Sequence, residues 1–302
     1  MKRLLFIRKN KANLPEIDAY IKYFNNKKGY CAVDSSTLNG EFQLNDFDVI
    51  WEFKGFGGVK VKDQLLIHEY ASLSTGKFLL LKNVMKTKFN YKPDLRIFLN
   101  EDVRRGFPFN DNIDFCYRDM GIDPGFLNVQ NNKKEYEFVY VGSISKDRHM
   151  DRLLKIMNEK KLGKICLIGD VDPEIYSRFK KNKDFIFTGK VPYTQVPEIA
   201  SKAIYGINYI PNKYPYNIQT STKLLEYLAL GLKVITTDYK WVRKFEQIHE
   251  CSFYILNNIE LDLNMRLISD FQYVNKINVE NFLWDSIIKN SKIEHKIESL
   301  LK

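Results

Sequence analysis

The sequence predicts an α/β protein made of two doubly wound parallel sheets. Short apolar runs alternate almost throughout with longer amphipathic stretches, which is the pattern of βαβ units. The length, 302 residues, fits two domains at roughly 100–200 residues each. A polar segment poor in large apolar side chains, Asn128-Val129-Gln130-Asn131-Asn132-Lys133-Lys134-Glu135, lies near the middle, and a linker is expected there at 128–135. It would part an N-terminal domain, 1–127, from a second domain, 136–281.

The first strand is expected at Arg3–Ile7. Its apolar stretch is too short for the core of a signal peptide, and no small-residue cleavage site follows, so the expected location is the cytoplasm. Helix Leu14–Phe24 has Pro15 early, where a missing N–H costs nothing. Further strands are expected at Tyr30–Val33, Asp48–Phe53, Leu65–His68, Phe78–Leu81, Arg96–Leu99 and Asp114–Tyr117. In the second half strand Glu137–Gly142 ends in glycine, and helix Met150–Glu159 follows. Strand Lys164–Gly169 leads to a helix starting near Pro173; strand Phe185–Gly189 leads to a helix around Val196–Ala203. Strand Tyr205–Ile210, helix Thr222–Leu230 stopped by Gly231, strand Lys233–Thr237, a short helix Trp241–Phe245 and strand Ser252–Leu256 complete the sheet. The stretch Val279–Lys302 reads as helical, with Phe282, Trp284, Ile287 and Ile288 available to pack on the body. Open sheets of this kind bind ligands at the carboxyl ends of their strands.

Several functional classes are disfavoured. No apolar run approaches the roughly 18 residues that a membrane span needs. Cys31, Cys116, Cys166 and Cys251 form no CxxC pair and read as buried free thiols; His68, His149, His249 and His295 have no zinc-binding spacing. The net charge of +10 is spread along the chain without a nucleic-acid motif, so no nucleic-acid partner is expected. A solvated basic surface explains the charge. So does peripheral contact with an anionic membrane carrying a lipid-linked acceptor.

The most informative segment is Gln219-Thr220-Ser221-Thr222-Lys223-Leu224-Leu225-Glu226-Tyr227-Leu228-Ala229-Leu230-Gly231. A loop of small hydroxyl residues runs into a helix N-terminus, whose free N–H groups and positive dipole end can hold a diphosphate. Glu226 stands one turn after Thr222, on the side of that mouth. An ordinary capped helix with a solvated Glu226 fits the same spacing.

This segment resembles the donor site of retaining GT-B glycosyltransferases, especially glycosyltransferase family 4. Lys223–Glu226, Ala229, Gly231 and Val234-Ile235-Thr236-Thr237 carry the likeness. The resemblance implies two Rossmann-like domains facing a central cleft. The acceptor belongs to the first, the nucleotide sugar to the second, and a C-terminal helix, about 282–302, crosses back to the first domain. Asn281-Phe282-Leu283-Trp284-Asp285 resembles that closing helix. Glu226 is implied as the ribose ligand. Phe138–Arg148 resembles the strand and loop that open the donor domain, with Gly142, Ser143, Lys146 and Arg148 near the phosphates. Ser143 stands where the family has an arginine, and Lys146 is the expected substitute. Gly189-Lys190-Val191-Pro192-Tyr193 resembles the base-binding loop, in which Tyr193 either stacks on the base or packs locally. Where the family often has a first glutamate, Ile218 stands here; the side-chain amide of Asn217 or Gln219, or the backbone of Thr220 and Ser221, is left to hold the sugar.

In the first half Leu65-Leu66-Ile67-His68-Glu69 resembles the strand-end His that faces the sugar, with Glu69 orienting it or acting as a base. Gly55, Gly57 and Gly58 either let an acceptor approach the backbone or form a plain turn. Arg104 and Arg105 meet an anionic acceptor or water, and Arg118 falls in a turn before the linker. Asp170-Val171-Asp172 has a DxD spelling, but the resemblance puts it away from the reacting bond, so no metal and no cofactor is expected. Arg148, Lys223 and the helix mouth would stabilise the leaving diphosphate instead. The expected activity is therefore a retaining, metal-independent glycosyltransferase, taking a hexose from a UDP-sugar for a glycan or lipid-linked acceptor in bacterial surface polysaccharide or glycolipid synthesis. A non-catalytic binding partner and a GT-B epimerase remain as alternatives.

Overall fold

A computed structural model of the chain describes residues 1–8, 14–38, 42–129 and 133–302. Its strands are β1 (Lys2–Ile7), β2 (Tyr30–Asp34), β3 (Val49–Phe53), β4 (Leu65–Tyr70), β5 (Leu95–Phe98), β6 (Asp114–Tyr117), β7 (Tyr136–Val141), β8 (Ile165–Ile168), β9 (Phe185–Gly189), β10 (Ala203–Asn208), β11 (Lys233–Thr237) and β12 (Tyr254–Leu256). The α-helices are α1 (Pro15–Asn25), α2 (Leu79–Phe89), α3 (Glu101–Arg105), α4 (Met150–Lys160), α5 (Pro173–Phe179), α6 (Val196–Ala200), α7 (Thr222–Ala229), α8 (Lys240–His249), α9 (Ile259–Asp262), α10 (Met265–Asp270), α11 (Trp284–Asn290) and α12 (Ile293–Leu300). They form two units, Met1–Gly121 with Glu280–Lys302, and Ile122–Val279.

The first unit holds a six-stranded parallel sheet in the order β2-β1-β3-β4-β5-β6. Apolar residues of α1 at helical spacing, Ile17, Tyr20 and Phe24, are wholly buried. Tyr20 lies 4.4 Å from the Trp51 ring and Phe6 4.9 Å from it. Each such side chain contributes about 1.5–3 kcal/mol by leaving water. Trp284 and Ile288 of α11 and Ile293 and Ile297 of α12 join the same core. The chain leaves this unit at Gly121, where a Cβ would stand 2.5 Å from the Trp284 ring. No other residue leaves room for that indole.

The second unit holds a parallel sheet in the order β12-β11-β10-β7-β8-β9. The chain winds from β7 through β8 to β9, then returns to β10 on the other side of β7. The topological switch point therefore lies between β7 and β10, where ligands of such sheets bind. Helix α7 buries Leu224, Leu225, Tyr227 and Leu228, and the Tyr227 ring occupies the place where a Cβ on Gly206 would be.

Four expectations change. Phe78–Leu81 is no strand: Leu79–Leu81 open helix α2, in which only Asn83 is fully buried. Asn83 Oδ1 accepts from the Ser74 amide at 3.1 Å and its Nδ2 donates to the Gly106 carbonyl at 3.2 Å. An apolar run with no neighbouring strand satisfies its backbone within a helix instead. Helix α8 is longer than Trp241–Phe245. The helical stretch after Val279 is one 3₁₀ turn and two helices, broken at Lys292 with φ of 57°. The segment expected as linker, 128–135, falls within the second unit; Gln130, Asn131 and Asn132 lie outside the described residues. Cys116, Cys166 and Cys251 are buried, Cys31 is half-buried, and all four thiols are free. Among the described residues, no helix is long and apolar enough to cross a membrane.

Candidate functional site

The second unit gathers its unusual chemistry at the start of α7. Lys223 is only 9% exposed, yet its ammonium has no hydrogen-bond partner among the described residues. It sits 4.1 Å from the centroid of the Tyr140 ring. Burial pushes the Lys223 pKa down. Burial pushes the Tyr140 phenol up, but the nearby cations of Lys223 and Arg148 outweigh it and leave that phenol below its ordinary range. Lys223 and Arg148 thus act on one point at the end of β7. Gly142 forms that strand end with φ of 132°, and a Cβ there would lie 3.6 Å from the Lys223 ammonium. That is ordinary contact distance, so Gly142 is the backbone that stands against the buried cation.

Three residues on, Glu226 is buried on the same helix. Tyr193 Oη donates to Glu226 Oε1 at 2.7 Å. Burial raises the Glu226 carboxyl to about 7, against the hydrogen bond from Tyr193 and the charge of Lys223, which pull it down. The Tyr193 ring packs 5.5 Å from Phe126. The 3₁₀ turn Pro124–Phe126 places Phe126 there, with Asp123 capping it through the Gly125 amide at 2.7 Å.

In the hydroxyl loop the Ser221 side chain is engaged within the fold, whereas the expectation there concerned its backbone. Ser221 is buried and donates to Asn208 Oδ1 at 2.7 Å. Asn208 Nδ2 in turn donates to Thr236 Oγ1 and to the Tyr239 hydroxyl, both at 2.9 Å. This network fixes the strand ends of β10 and β11 beneath the helix mouth, and it uses the Ser221 side chain up. Thr222 is half-buried as the first residue of α7. Asn217 donates to Asn212 at 3.1 Å while its Oδ1 is buried without a partner. Gln219 and Thr220 are half-buried in the same loop.

Most of the other expected donor residues lie nearer the surface. Lys146, the expected substitute for the missing arginine, is exposed and paired with Glu174. Ser143 is exposed, and its carbonyl accepts from the Tyr140 hydroxyl at 3.2 Å. Lys190 is exposed and Val191 half-buried after β9. Asp172 caps α5 by accepting from the Glu174 amide at 2.9 Å. Among the described residues no three His, Cys, Asp or Glu side chains gather where they could hold a metal. An open crevice of about 680 Å³ lies beside the ends of β10–β12, lined by His149, Arg152, Tyr209 and Asp238 among others. It holds none of the expected donor residues, and the unanswered Lys223 charge marks the α7 mouth as the stronger site.

In the first unit, neighbouring residues of β4 point to opposite faces. His68 lies 3.4 Å from Glu52 Oε2, and Lys54 donates to the same carboxylate at 3.1 Å. Burial, against the help of Glu52, lowers the His68 pKa to about 4. Glu69 faces the other side, accepting from Trp51 Nε1 at 2.9 Å and from the buried Arg118. Glu69 therefore cannot orient His68, and neither side chain has surface to offer a sugar. The glycine loop is tied to Asn90: Gly57 donates to its Oδ1 at 3.0 Å, and Asn90 Nδ2 donates to the Gly55 carbonyl at 3.2 Å. At Gly58, φ of 147°, a Cβ would meet Glu52 Oε2 at 2.6 Å, so this glycine is required by packing.

No family profile matches the chain, and no curated protein sequence matches it. Solved structures do. AviGT4, a glycosyltransferase involved in avilamycin A biosynthesis, covers all of this chain with 98% of its own at 11% identity and a TM-score of 0.66. Anabaena HepE in complex with UDP and glucose covers all of it with 97% of its own at 9% identity and a TM-score of 0.60. WaaG, a glycosyltransferase of lipopolysaccharide biosynthesis, covers 99% of both chains at 10% identity and a TM-score of 0.57. Together with the two six-stranded parallel sheets, these likenesses identify the fold as that of the GT-B glycosyltransferases, with two Rossmann-like units.

Proposed function

We propose that the protein is a glycosyltransferase that takes a hexose from a nucleotide sugar, UDP-sugar favoured, and passes it to a glycan or lipid-linked acceptor. The observation that carries this reading is the buried ammonium of Lys223, with no partner of its own, at the mouth of α7 beside Gly142. A buried cation whose one nearby carboxyl, Glu226, is itself held towards its neutral form by burial is costly, and a diphosphate would answer it. The N–H groups of the first turn of α7 add to that attraction. Arg148 acts on the same place. Glu226 then receives a ribose hydroxyl, and Tyr193 holds its carboxyl in position. The UDP and glucose held by HepE and the lipopolysaccharide role of WaaG support the donor class and a surface-glycan acceptor by analogy of fold.

As the bond from sugar to diphosphate breaks, negative charge grows on the leaving phosphate. Lys223, Arg148 and the α7 dipole stabilise it, which is electrostatic catalysis by preorganised groups. The reading includes a metal-independent step with retention, a site in bacterial surface polysaccharide or glycolipid synthesis, a cytoplasmic location and contact with an anionic membrane. The test is a thermal-shift screen of UDP-, GDP-, CMP- and TDP-sugars, followed by nucleotide release with and without acceptor and with and without EDTA. UDP-sugar binding and acceptor-dependent UDP release that survive EDTA are expected. Failure of every nucleotide sugar to bind would sink the reading. Binding without turnover would leave a non-catalytic partner, and sugar interconversion without acceptor an epimerase.

A further inference from the structure

The second unit has a concavity that the donor reading leaves unused. The crevice of about 680 Å³ lies at the carboxyl ends of β10, β11 and β12, and its size suits a small-molecule ligand. It is not the α7 mouth seen from another side. The chain moves from β7 to β8 in one direction along the sheet and from β10 to β11 in the other. Right-handed crossovers therefore put α4 and α7 on opposite faces. The crevice opens on the α4 face, where His149 and Arg152 bring the start of α4 to it and Ile259 the start of α9. Leu153 of α4 and Ile259 share one core, and Arg152 donates to Glu260 Oε1 at 3.0 Å. Lys223 and Glu226 sit on the helix of the other face.

The lining is polar and cationic. Tyr209 is 7% exposed, and its hydroxyl makes no hydrogen bond among the described residues. The phenol lies close enough to Arg152 to feel its charge, and both residues line the crevice. A buried hydroxyl without a partner is costly, and a ligand oxygen would answer it. Arg152 has donors beyond the one that Glu260 takes, and Lys213 adds a second positive charge. The carboxylate in the lining, Asp238, is already clasped by Arg243 at 2.7 and 3.0 Å, so the balance of charge is positive. No side chain caps α4 at His149, and the N–H groups of its first turn also favour an anion. The amides of Asn212 and Asn257 offer partners for hydroxyls, and Leu256 an apolar surface for ring carbons. We infer that this crevice is a second binding site, built for a hexose ring that carries one acidic group, a carboxylate or a phosphate. The inference rests on the proposed function only in taking that sugar as part of the acceptor; filling the crevice does not require a nucleotide at α7.

Titration of the full chain by saturation-transfer NMR, with and without excess UDP, tests it. The probes are glucuronate and glucose 6-phosphate, with glucose and inorganic phosphate as controls. An anionic sugar should bind equally well with UDP present, and the tighter of the two probes names the acidic group. Glucose and phosphate should each bind about tenfold more weakly. Arg152→Gln should weaken the anionic sugar about tenfold and leave UDP affinity unchanged. Tyr209→Phe with Lys213→Gln should do the same, and it removes no side-chain hydrogen bond or ion pair of the described residues, so it serves if Arg152→Gln melts early. Binding of neither sugar would overturn the inference. So would displacement of the sugar by UDP, phosphate bound as tightly as either sugar, or native affinity in both variants. If an anionic sugar binds to a chain that takes no UDP, the donor reading falls and this one stands; if UDP binds and neither sugar does, the reverse holds.

Discussion

The two units treat buried charge in opposite ways. In the first, each buried cation has a carboxylate: Arg118 has Glu69 and, at 3.7 Å, Glu16; Lys54 has Glu52; Arg96 is clasped by Asp111 at 2.8 Å. In the second, Lys223 has the face of a tyrosine and no carboxylate in hydrogen-bond contact among the described residues, with the charge of Glu226 felt through space, and Glu226 has a phenol. Charge that a fold neutralises internally holds structure together, whereas a buried cation with no hydrogen-bond partner among the described residues is a candidate for a ligand. The contrast separates a structural role for the first unit's cluster from a binding role for the second's.

Arg118 gives the hardest test of that separation. It is wholly buried, with Trp284 at 5.4 Å and two carboxylates beside it. Arg118→Met would leave Glu69 and Glu16 buried without a counter-ion, at a cost of about 3–5 kcal/mol. Urea unfolding monitored by tryptophan fluorescence should show that loss. A change of less than about 1 kcal/mol would break the comparison, because the pair would then not be structural.

Lys223→Met tests the other side. It removes a buried cation with no partner, so the free protein should keep its melting temperature or gain. UDP affinity should fall about a hundredfold, corresponding to about 2.7 kcal/mol. Calorimetric titration with UDP reads the second effect and a thermal melt the first. A destabilised variant with unchanged UDP affinity would reverse the assignment.

How much of this could be read from the sequence follows the range of each interaction. Strand and helix positions depend on local apolar spacing, and β6, β9 and β11 fall at their expected limits. The helix with Lys223 and Glu226 is local too, so its position was legible. What was not legible depends on distant partners. Arg118 looked like a turn residue because Glu69 is 49 positions away. The Ser221 hydroxyl bond was not legible because Asn208, which accepts it, belongs to strand β10. Tyr193 was expected at a base, and its bond to Glu226 spans 33 positions. One error was avoidable: His68 and Glu69 are adjacent in a strand, and side chains alternate faces with a period of two, so they could never pair. Phe78–Leu81 misled because an apolar run of that length is as compatible with a helix as with a strand.

The comparison also predicts opposite pH limits for the two units. His68 has its pKa lowered to about 4 from the usual 6.5. The unfolded chain therefore takes up a proton first, and stability present above 6.5 is lost as pH falls towards 4. His68→Asn should reduce that acid loss by on the order of 2 kcal/mol, measured as urea midpoints at pH 7 and pH 4.5. Equal acid loss in both proteins would mean that His68 is not held neutral by burial.

Glu226 has the reverse sign and a shift of similar size. Its carboxyl is raised to about 7 from an ordinary value of 4.5, chiefly by burial. The folded protein holds this proton where the unfolded chain has released it, so the stability contributed below 4.5 is lost as pH rises through 7. Glu226→Gln keeps an acceptor for the Tyr193 hydroxyl and removes the ionisation. At pH 5 the variant should match the native protein to within about 1 kcal/mol, and between pH 5 and pH 8 it should gain on it by on the order of 2 kcal/mol. Binding reads the same proton from the other direction. A ribose hydroxyl donates to the ionised carboxylate, so native UDP affinity should rise as pH passes 7, with proton release detectable in buffers of different ionisation enthalpy. The variant should bind more weakly and without that pH dependence. If the native protein and the variant respond alike to pH in both stability and UDP affinity, Glu226 is an ordinary buried side chain, and the contrast between the two units rests on Lys223 alone.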